Sequence, residues 1–193
     1  MESPTFACQP IFDSSGTVTA YELLYRDRNR SFASISSSGD IESLSVLQGE
    51  FEVNWLGEKK AHVNFSKGIL PLAPDHLKQR LVLELLESYH GDVDLIKIVK
   101  GLKNRGHTIA LDDFIWLDDI EPLVDLADIV KIDILKQDED EIDKSVVKLL
   151  KYDVRLLAEK IETKDQLNYC LNMGFTRFQG NYLGEPRLFE SLK

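Results

Sequence analysis

Cysteine is scarce in these 193 residues: Cys8 and Cys170 are the two present, far apart in the chain and without metal-ligand spacing. A thiolate zinc site is thereby not expected, and of a single disulfide and two buried, reduced thiols in a cytoplasmic protein the second is the expectation. Histidine is as thin, with His62, His76, His90 and His107 scattered without ligand spacing, so a histidine zinc centre is not expected either. No apolar run approaches the roughly 18 residues that cross a bilayer, and Met1 to Ala7 lacks the basic and apolar segments of a secretion signal. No glycine-rich phosphate loop follows any apolar run, which removes the main signature of nucleotide-binding open sheets. Basic residues are outnumbered, 23 Lys and Arg against 33 Asp and Glu, for a net charge of −10. A nucleic-acid-coating surface needs clustered basic charge, so DNA is not an expected partner, and neither is a membrane.

What is present is an alternation. Short apolar, β-branched runs occupy Phe6–Phe12, Val18–Leu24, Ala61–Phe65, Leu81–Leu86, Thr108–Leu111, Ile129–Ile132, Val154–Leu157 and Phe175–Phe178. Asp13-Ser14-Ser15-Gly16 between the first two has the composition of a hairpin turn. Helical periodicity marks Ile41–Leu56, Asp92–Lys103, Glu141–Lys151 and Thr163–Met173, the last with Thr163 as N-cap and Gly174 just past its end. The serine-rich stretch Asn29 to Asp40 reads as a loop, and the acidic run Gln137–Asp143 as a solvated helix start. Strands and helices alternating in this way form a parallel sheet covered by helices. Of the two such architectures, the missing phosphate loop favours a TIM-like (β/α) barrel over an open doubly wound sheet. The barrel is expected to be entered through an antiparallel hairpin, and the 193 residues to form a single domain.

The acids fall at the ends of these runs. Glu22 stands near the end of its strand with Arg26 four positions on, and Asn64 near the end of the next. Glu84 is followed by Glu87, Leu111 runs into Asp112-Asp113, Lys131 precedes Asp133, Leu157 leads to Glu159 and Glu162, and Phe178 to Gln179-Gly180. In a β/α barrel all these ends face one mouth, where such folds hold their active sites. Carboxylates on doubly buried strands are costly unless metal or cations compensate them. Carboxylates plus an amide carbonyl are hard oxygen ligands, suited to Mg²⁺ or Mn²⁺, and a two-metal site would serve hydrolysis of a phosphate ester.

In this order the motifs resemble the EAL domain of bacterial signalling proteins, which hydrolyses cyclic di-GMP. They are Gln9-Pro10-Ile11, Glu22-Leu23-Leu24 with Arg26, Asn64-Phe65-Ser66, Glu84-Leu85-Leu86-Glu87, Asp112-Asp113-Phe114, Lys131-Ile132-Asp133, Ala158-Glu159-Lys160-Ile161-Glu162-Thr163 and Gln179-Gly180. The resemblance runs from about Gln9 to Pro186. It implies Glu22, Asn64, Glu84, Asp112 and Asp113 as ligands for Mg²⁺ or Mn²⁺, and Glu159 as general base or holder of the attacking water, with Lys131 and Glu87 beside it. It implies substrate contacts from Gln9, Arg26, Asp133, Glu162 and Gln179, and the linear dinucleotide as product.

Two departures stand out. Active members of the family follow the Asp pair with a glycine-containing loop, whereas here Phe114-Ile115-Trp116-Leu117-Asp118-Asp119 has none, so the loop is expected to take another course. The chain is also short between Arg26 and Asn64 and between Asn64 and Glu84, where a barrel helix is expected to shrink to a turn around Pro71–Arg80. This compact form resembles EAL domains that precede an HDOD domain in two-domain regulators, which implies a partner signalling domain or a homodimer. A degenerate domain that binds cyclic di-GMP or a protein partner without hydrolysis is the alternative expectation. An unrelated barrel enzyme acting on another phosphodiester would explain the acids but not the ordered motifs.

Overall fold

The computed structural model describes residues 5–26, 56–85 and 92–188. The expected loop at 29–40, nearly all of the expected helix at 41–56, and Glu87 lie outside the described residues, as does the side chain of Arg26. Nine strands form one sheet: β1 Thr5–Asp13, β2 Val18–Arg26, β3 Lys60–Asn64, β4 Leu81–Leu85, β5 Thr108–Leu111, β6 Ile129–Asp133, β7 Arg155–Glu159, β8 Arg177–Phe178 and β9 Arg187–Leu188. Strands β2 to β8 pair in order and in parallel. The antiparallel β1 closes the ring, pairing with β2 along its length and with β8 through Phe12 and Asp13. The result is a closed eight-stranded barrel, with β9 added outside the ring on Ala7 and Cys8.

The hairpin between β1 and β2 is made as its composition predicts. Asp13 Oδ1 accepts the amide protons of Ser15 and Thr17 at 2.9 and 3.0 Å, and Gly16 takes a φ of 79°. Because β1 runs against its neighbours, its first half lies at the end where the parallel strands finish. Gln9 therefore sits directly opposite Glu22.

Helices α1 Val93–Arg105, α2 Glu121–Val124, α3 Glu139–Leu149 and α4 Lys164–Asn172 cover the barrel. Asp92 caps α1 by accepting from the amides of Asp94 and Leu95, and Gly106 ends it at φ 90°. Capping boxes start α3 (Asp138 with Glu141) and α4 (Thr163 with Gln166). The acidic run thus lies in the first turn of α3, where the helix dipole favours it. Between β3 and β4 there are two 3₁₀ turns, Leu70–Leu72 and Asp75–Leu77, with Pro71 and Pro74 at or beside their starts. This is the shortening expected around Pro71–Arg80.

Strand alternation divides the barrel interior into two layers. At the lower level Ile11, Ala20, Val82, Ala110, Ile129 and Leu157 pack together as an apolar floor. Two residues further along the same strands come Glu22, Glu84, Asp112, Lys131 and Glu159. A second, larger core fills the space between the sheet and the helices, with Phe65, Leu83, Leu95, Val99, Leu102, Ile132, Val146 and Phe178 among its buried members. Both cysteines are free and buried, and burial pushes each thiol up to about 12. Among the described residues no helix is long and apolar enough to cross a membrane.

Candidate active site at the barrel mouth

The second interior layer is a knot of charge around one ammonium. Lys131 Nζ lies 2.8 Å from Glu84 Oε1, 2.9 Å from Asp112 Oδ1, 2.9 Å from Glu159 Oε1 and 3.3 Å from Glu22 Oε1, with no part of its side chain exposed. Gln179 donates from Nε2 to Glu22 Oε2 at 2.5 Å and to Gln9 Oε1 at 3.1 Å, and Gln9 Nε2 donates to the Gly184 carbonyl at 3.2 Å. Gln179 is held by its backbone, because Ile161 N–H donates to the Gln179 carbonyl at 3.0 Å. That approach explains the neighbouring glycine: a Cβ on Gly180 would stand 2.2 Å from both the nitrogen and the oxygen of Ile161.

One ammonium cannot balance four carboxylates in a dry layer, and the acidities show it. Burial pushes Glu22 up to about 7, with Glu84 and Asp112 adding to the shift and Lys131 and Gln179 opposing it. Burial and Asp112 push Glu84 up to about 7 against the pull of Lys131. Glu159 is raised well above the usual carboxylate range, by burial first and then by the neighbouring acids. Asp112 is also buried, but Lys131 and the Asp113 amide outweigh that penalty and lower it. Burial opposes the charge on Lys131, yet the four carboxylates win and raise it well above its ordinary value.

Most residues expected at the site meet here. Glu22, Glu84, Asp112, Lys131, Glu159, Gln179 and Gln9 form one connected cluster, and Asn64 stands in register beside Glu84 on the adjoining strand. Three others have partners outside that cluster. Asp113, at a φ of 48°, turns its carboxylate to Lys136 Nζ at 2.6 Å. Asp133 is buried, paired with Lys160 Nζ at 2.5 Å and accepting from the Leu135 amide at 2.9 Å. Glu162 is exposed, with its amide donating to Gln166 Oε1 at 2.8 Å.

The segment from Asp113 to Asp119 contains no glycine. Its positive φ falls on Asp113, a residue type that tolerates the left-handed region, rather than on Ile115 or Trp116. Phe114 N–H donates to the Lys131 carbonyl at 2.9 Å and Gln137 Nε2 to the Phe114 carbonyl at 2.9 Å, tying the loop to β6. Trp116 packs edge-on to Phe114, with ring centres 6.1 Å apart, and carries Lys148 Nζ 4.7 Å over its face.

Sequence reasoning passed over His62. The ring is buried two residues before Asn64, with Nδ1 2.8 Å from Glu84 Oε1. Burial and Lys131 depress its basicity to about 3, so it is neutral. Strand periodicity was the available signal, because residues two apart share a face.

The cluster fits a hard cation. Glu22, Glu84 and Asp112 each offer an oxygen within 4.8 Å of the others. Among the described residues no hydrogen-bond donor meets Glu84 Oε2 or Asn64 Oδ1, both buried, and their two residues are register partners on adjoining strands. Two orphaned acceptors among crowded carboxylates are a donor set awaiting positive charge.

Residues 51–186 match the sequence model of the EAL domain family, so the chain belongs to that family. The Glu22-Leu23-Leu24 motif precedes the matched span, but wider comparisons include it. The chain is 34% identical to the uncharacterized protein YuxH of Bacillus subtilis, over 94% of this chain and 47% of that protein. It is 29% identical to the cyclic di-GMP phosphodiesterase CdgJ of Vibrio cholerae, over 95% of this chain and 44% of that protein. The chain thus spans under half the length of these relatives. Among solved structures, the Bacillus subtilis YkuI protein, with an EAL domain and in complex with substrate c-di-GMP and calcium, superposes with a TM-score of 0.72 at 26% identity. That match covers 95% of this chain and 54% of YkuI.

Proposed function

We propose that this domain hydrolyses cyclic di-GMP to the linear dinucleotide in the presence of Mg²⁺ or Mn²⁺. The observation that carries the reading is the cluster of Glu22, Glu84 and Asp112 oxygens within 4.8 Å of one another, with donorless buried oxygens on Glu84 and on its register partner Asn64. Glu22, Asn64, Glu84 and Asp112 would hold the metal, with Asp113 joining only if its carboxylate leaves Lys136. Divalent ions there would polarise the phosphoryl group and supply hydroxide at neutral pH. Glu159, 2.9 Å from Lys131 Nζ and deprotonated when metal occupies the cluster, would take the proton of the attacking water as the P–O3′ bond breaks. Lys131 stands beside it, and Glu87 is assigned to the catalytic set by family resemblance. Gln9, Gln179 and Arg26 would contact the dinucleotide, while Asp133 and Glu162 would act through the loops they anchor.

The relatives' greater length supports a two-domain regulator in which a second signalling domain, such as HDOD, accompanies this one. Free buried thiols and the want of a spanning helix among the described residues support a cytoplasmic setting. A second reading, cyclic di-GMP binding without turnover, is favoured by one observation: Asp113 is committed to Lys136 in a loop without glycine.

Chromatography of cyclic di-GMP incubated with the protein and Mn²⁺, beside direct binding, decides between the two. Linear dinucleotide should form only with metal. Losing one residue that merely supports a metal ligand costs about 10–100-fold, so Glu22→Ala should lower turnover by more than about 100-fold. Binding without product would make the domain a receptor. Neither binding nor product would overturn both readings.

A further inference from the structure

We infer that His62 is a positioning residue which selects the oxygen of Glu84 presented to metal, an inference that rests on the metal site proposed above. The two oxygens of Glu84 are treated unequally. Oε1 takes two contacts, His62 Nδ1 at 2.8 Å and Lys131 Nζ at 2.8 Å, whereas Oε2 is buried and meets no hydrogen-bond donor among the described residues. The residue bearing that free oxygen is in register with Asn64, whose own Oδ1 also lacks a donor among the described residues. A carboxylate pinned through one oxygen has the other fixed in direction.

Of the two groups doing the pinning, His62 is the durable one. Lys131 reaches Oε1 on a flexible four-carbon stem and divides its contacts among Glu22, Asp112 and Glu159 as well. Any cation entering among those carboxylates competes with its ammonium for the same oxygens. His62 sits on β3, in register with Glu22 on one side and one step from Asn64's neighbour Glu84 on the other. Its ring has two torsions and is packed out of solvent. Metal binding requires Glu84 ionised, and an ionised carboxylate only accepts, so in the metal-binding state the proton of the His62–Glu84 bond resides on Nδ1 and the ring is a donor toward the ligand. Donors of this kind hold metal ligands in orientation and are worth about 10–100-fold in metal affinity.

The test uses Mn²⁺ as the probe, with free ion measured by electron paramagnetic resonance. His62→Phe keeps a ring of similar size and removes the donor, and should weaken Mn²⁺ binding about 10–100-fold. His62→Asn places an amide N–H where Nδ1 stood and should recover most of that loss. Nitrogen-15 NMR of the unaltered protein should show His62 protonated on Nδ1. Wild-type affinity in His62→Phe, equal losses in the Phe and Asn variants, or a ring unprotonated at Nδ1 would each overturn the inference. The NMR result stands even if a variant fails to fold. Turnover of cyclic di-GMP by the wild type is read separately. Product formation with unchanged Mn²⁺ affinity in His62→Phe defeats the positioning role alone, and weakened Mn²⁺ binding in a wild type without turnover defeats only the hydrolytic reading. A wild type that binds no Mn²⁺ overturns both.

Discussion

Replacing Lys131 with methionine should cost the metal-free protein about 3–5 kcal/mol at pH 8, a large part of the stability of a domain this size. Methionine matches the length of the stem, so the loss is of charge more than volume. Lys131 contacts four carboxylates within 3.3 Å, none of which the apolar floor beneath can solvate. Without the ammonium those acids must stay ionised and unbalanced, or take up protons that pH 8 makes scarce. Two corollaries separate this from a packing defect. Lowering the pH to 5 should shrink the deficit, because protonation removes the uncompensated charge. Saturating Mn²⁺ should shrink it as well, because the ion replaces the missing positive charge and any ligand of the native state stabilises it by mass action. Urea denaturation followed by circular dichroism, at both pH values and with and without Mn²⁺, measures all three effects. A variant as stable as the wild type at pH 8 would show that the carboxylates are not ionised in the metal-free barrel.

Much of this arrangement was legible in the chain because it depends on short periods. Residues two apart on a strand share a face, so Ala20 and Glu22, or Ile129 and Lys131, announce an apolar floor under a polar layer. Helix ends were legible for the same local reason, Thr163 and Gly174 being bound within their own helix turns. What escaped depends on closure of the ring. Asp113 and Lys136 are 23 positions apart, and Asp133 and Lys160 are 27 apart. No local pattern says that these acids pair with a lysine on a neighbouring loop. The same holds for His62, whose scattered position in the chain becomes a contact with Glu84 only through the register of β3 on β4. Strand β9, two residues long, carries no periodicity at all and exists because β1 offers an open edge at Ala7 and Cys8. The bounds of β7 moved for a related reason: Glu159 lies inside the strand, because pairing with Asp133 continues the ladder beyond the apolar run.

The metal-free protein should lose stability as pH rises from about 4.5 to 7, and metal should reverse the trend. Glu22 and Glu84 titrate near 7 in the folded barrel, against 4.5 when unfolded. Their folded proton affinity is therefore raised. Between those values the unfolded chain has released its protons while the folded one retains them, and each rise in pH favours unfolding. A shift of this size on one group corresponds to roughly 3 kcal/mol, and because the two share one electrostatic neighbourhood their sum falls short of twice that. Glu159, also raised above the usual carboxylate range, acts in the same direction. Asp112 has the opposite sign, its folded value being lowered, so its contribution is lost only as pH falls below the ordinary carboxylate range. Lys131, raised above its ordinary value, contributes fully at every pH in this window. Divalent metal requires the same acids deprotonated, so Mn²⁺ affinity should climb through pH 7 and binding should release protons. Melting temperatures from pH 5 to 8, with and without Mn²⁺, should show curves close together in acid and widely separated at pH 8. A metal-free melting temperature that rises over this range would mean that the carboxylates at the mouth are ionised at ordinary cost, and the case for a cluster starved of positive charge would fall with it.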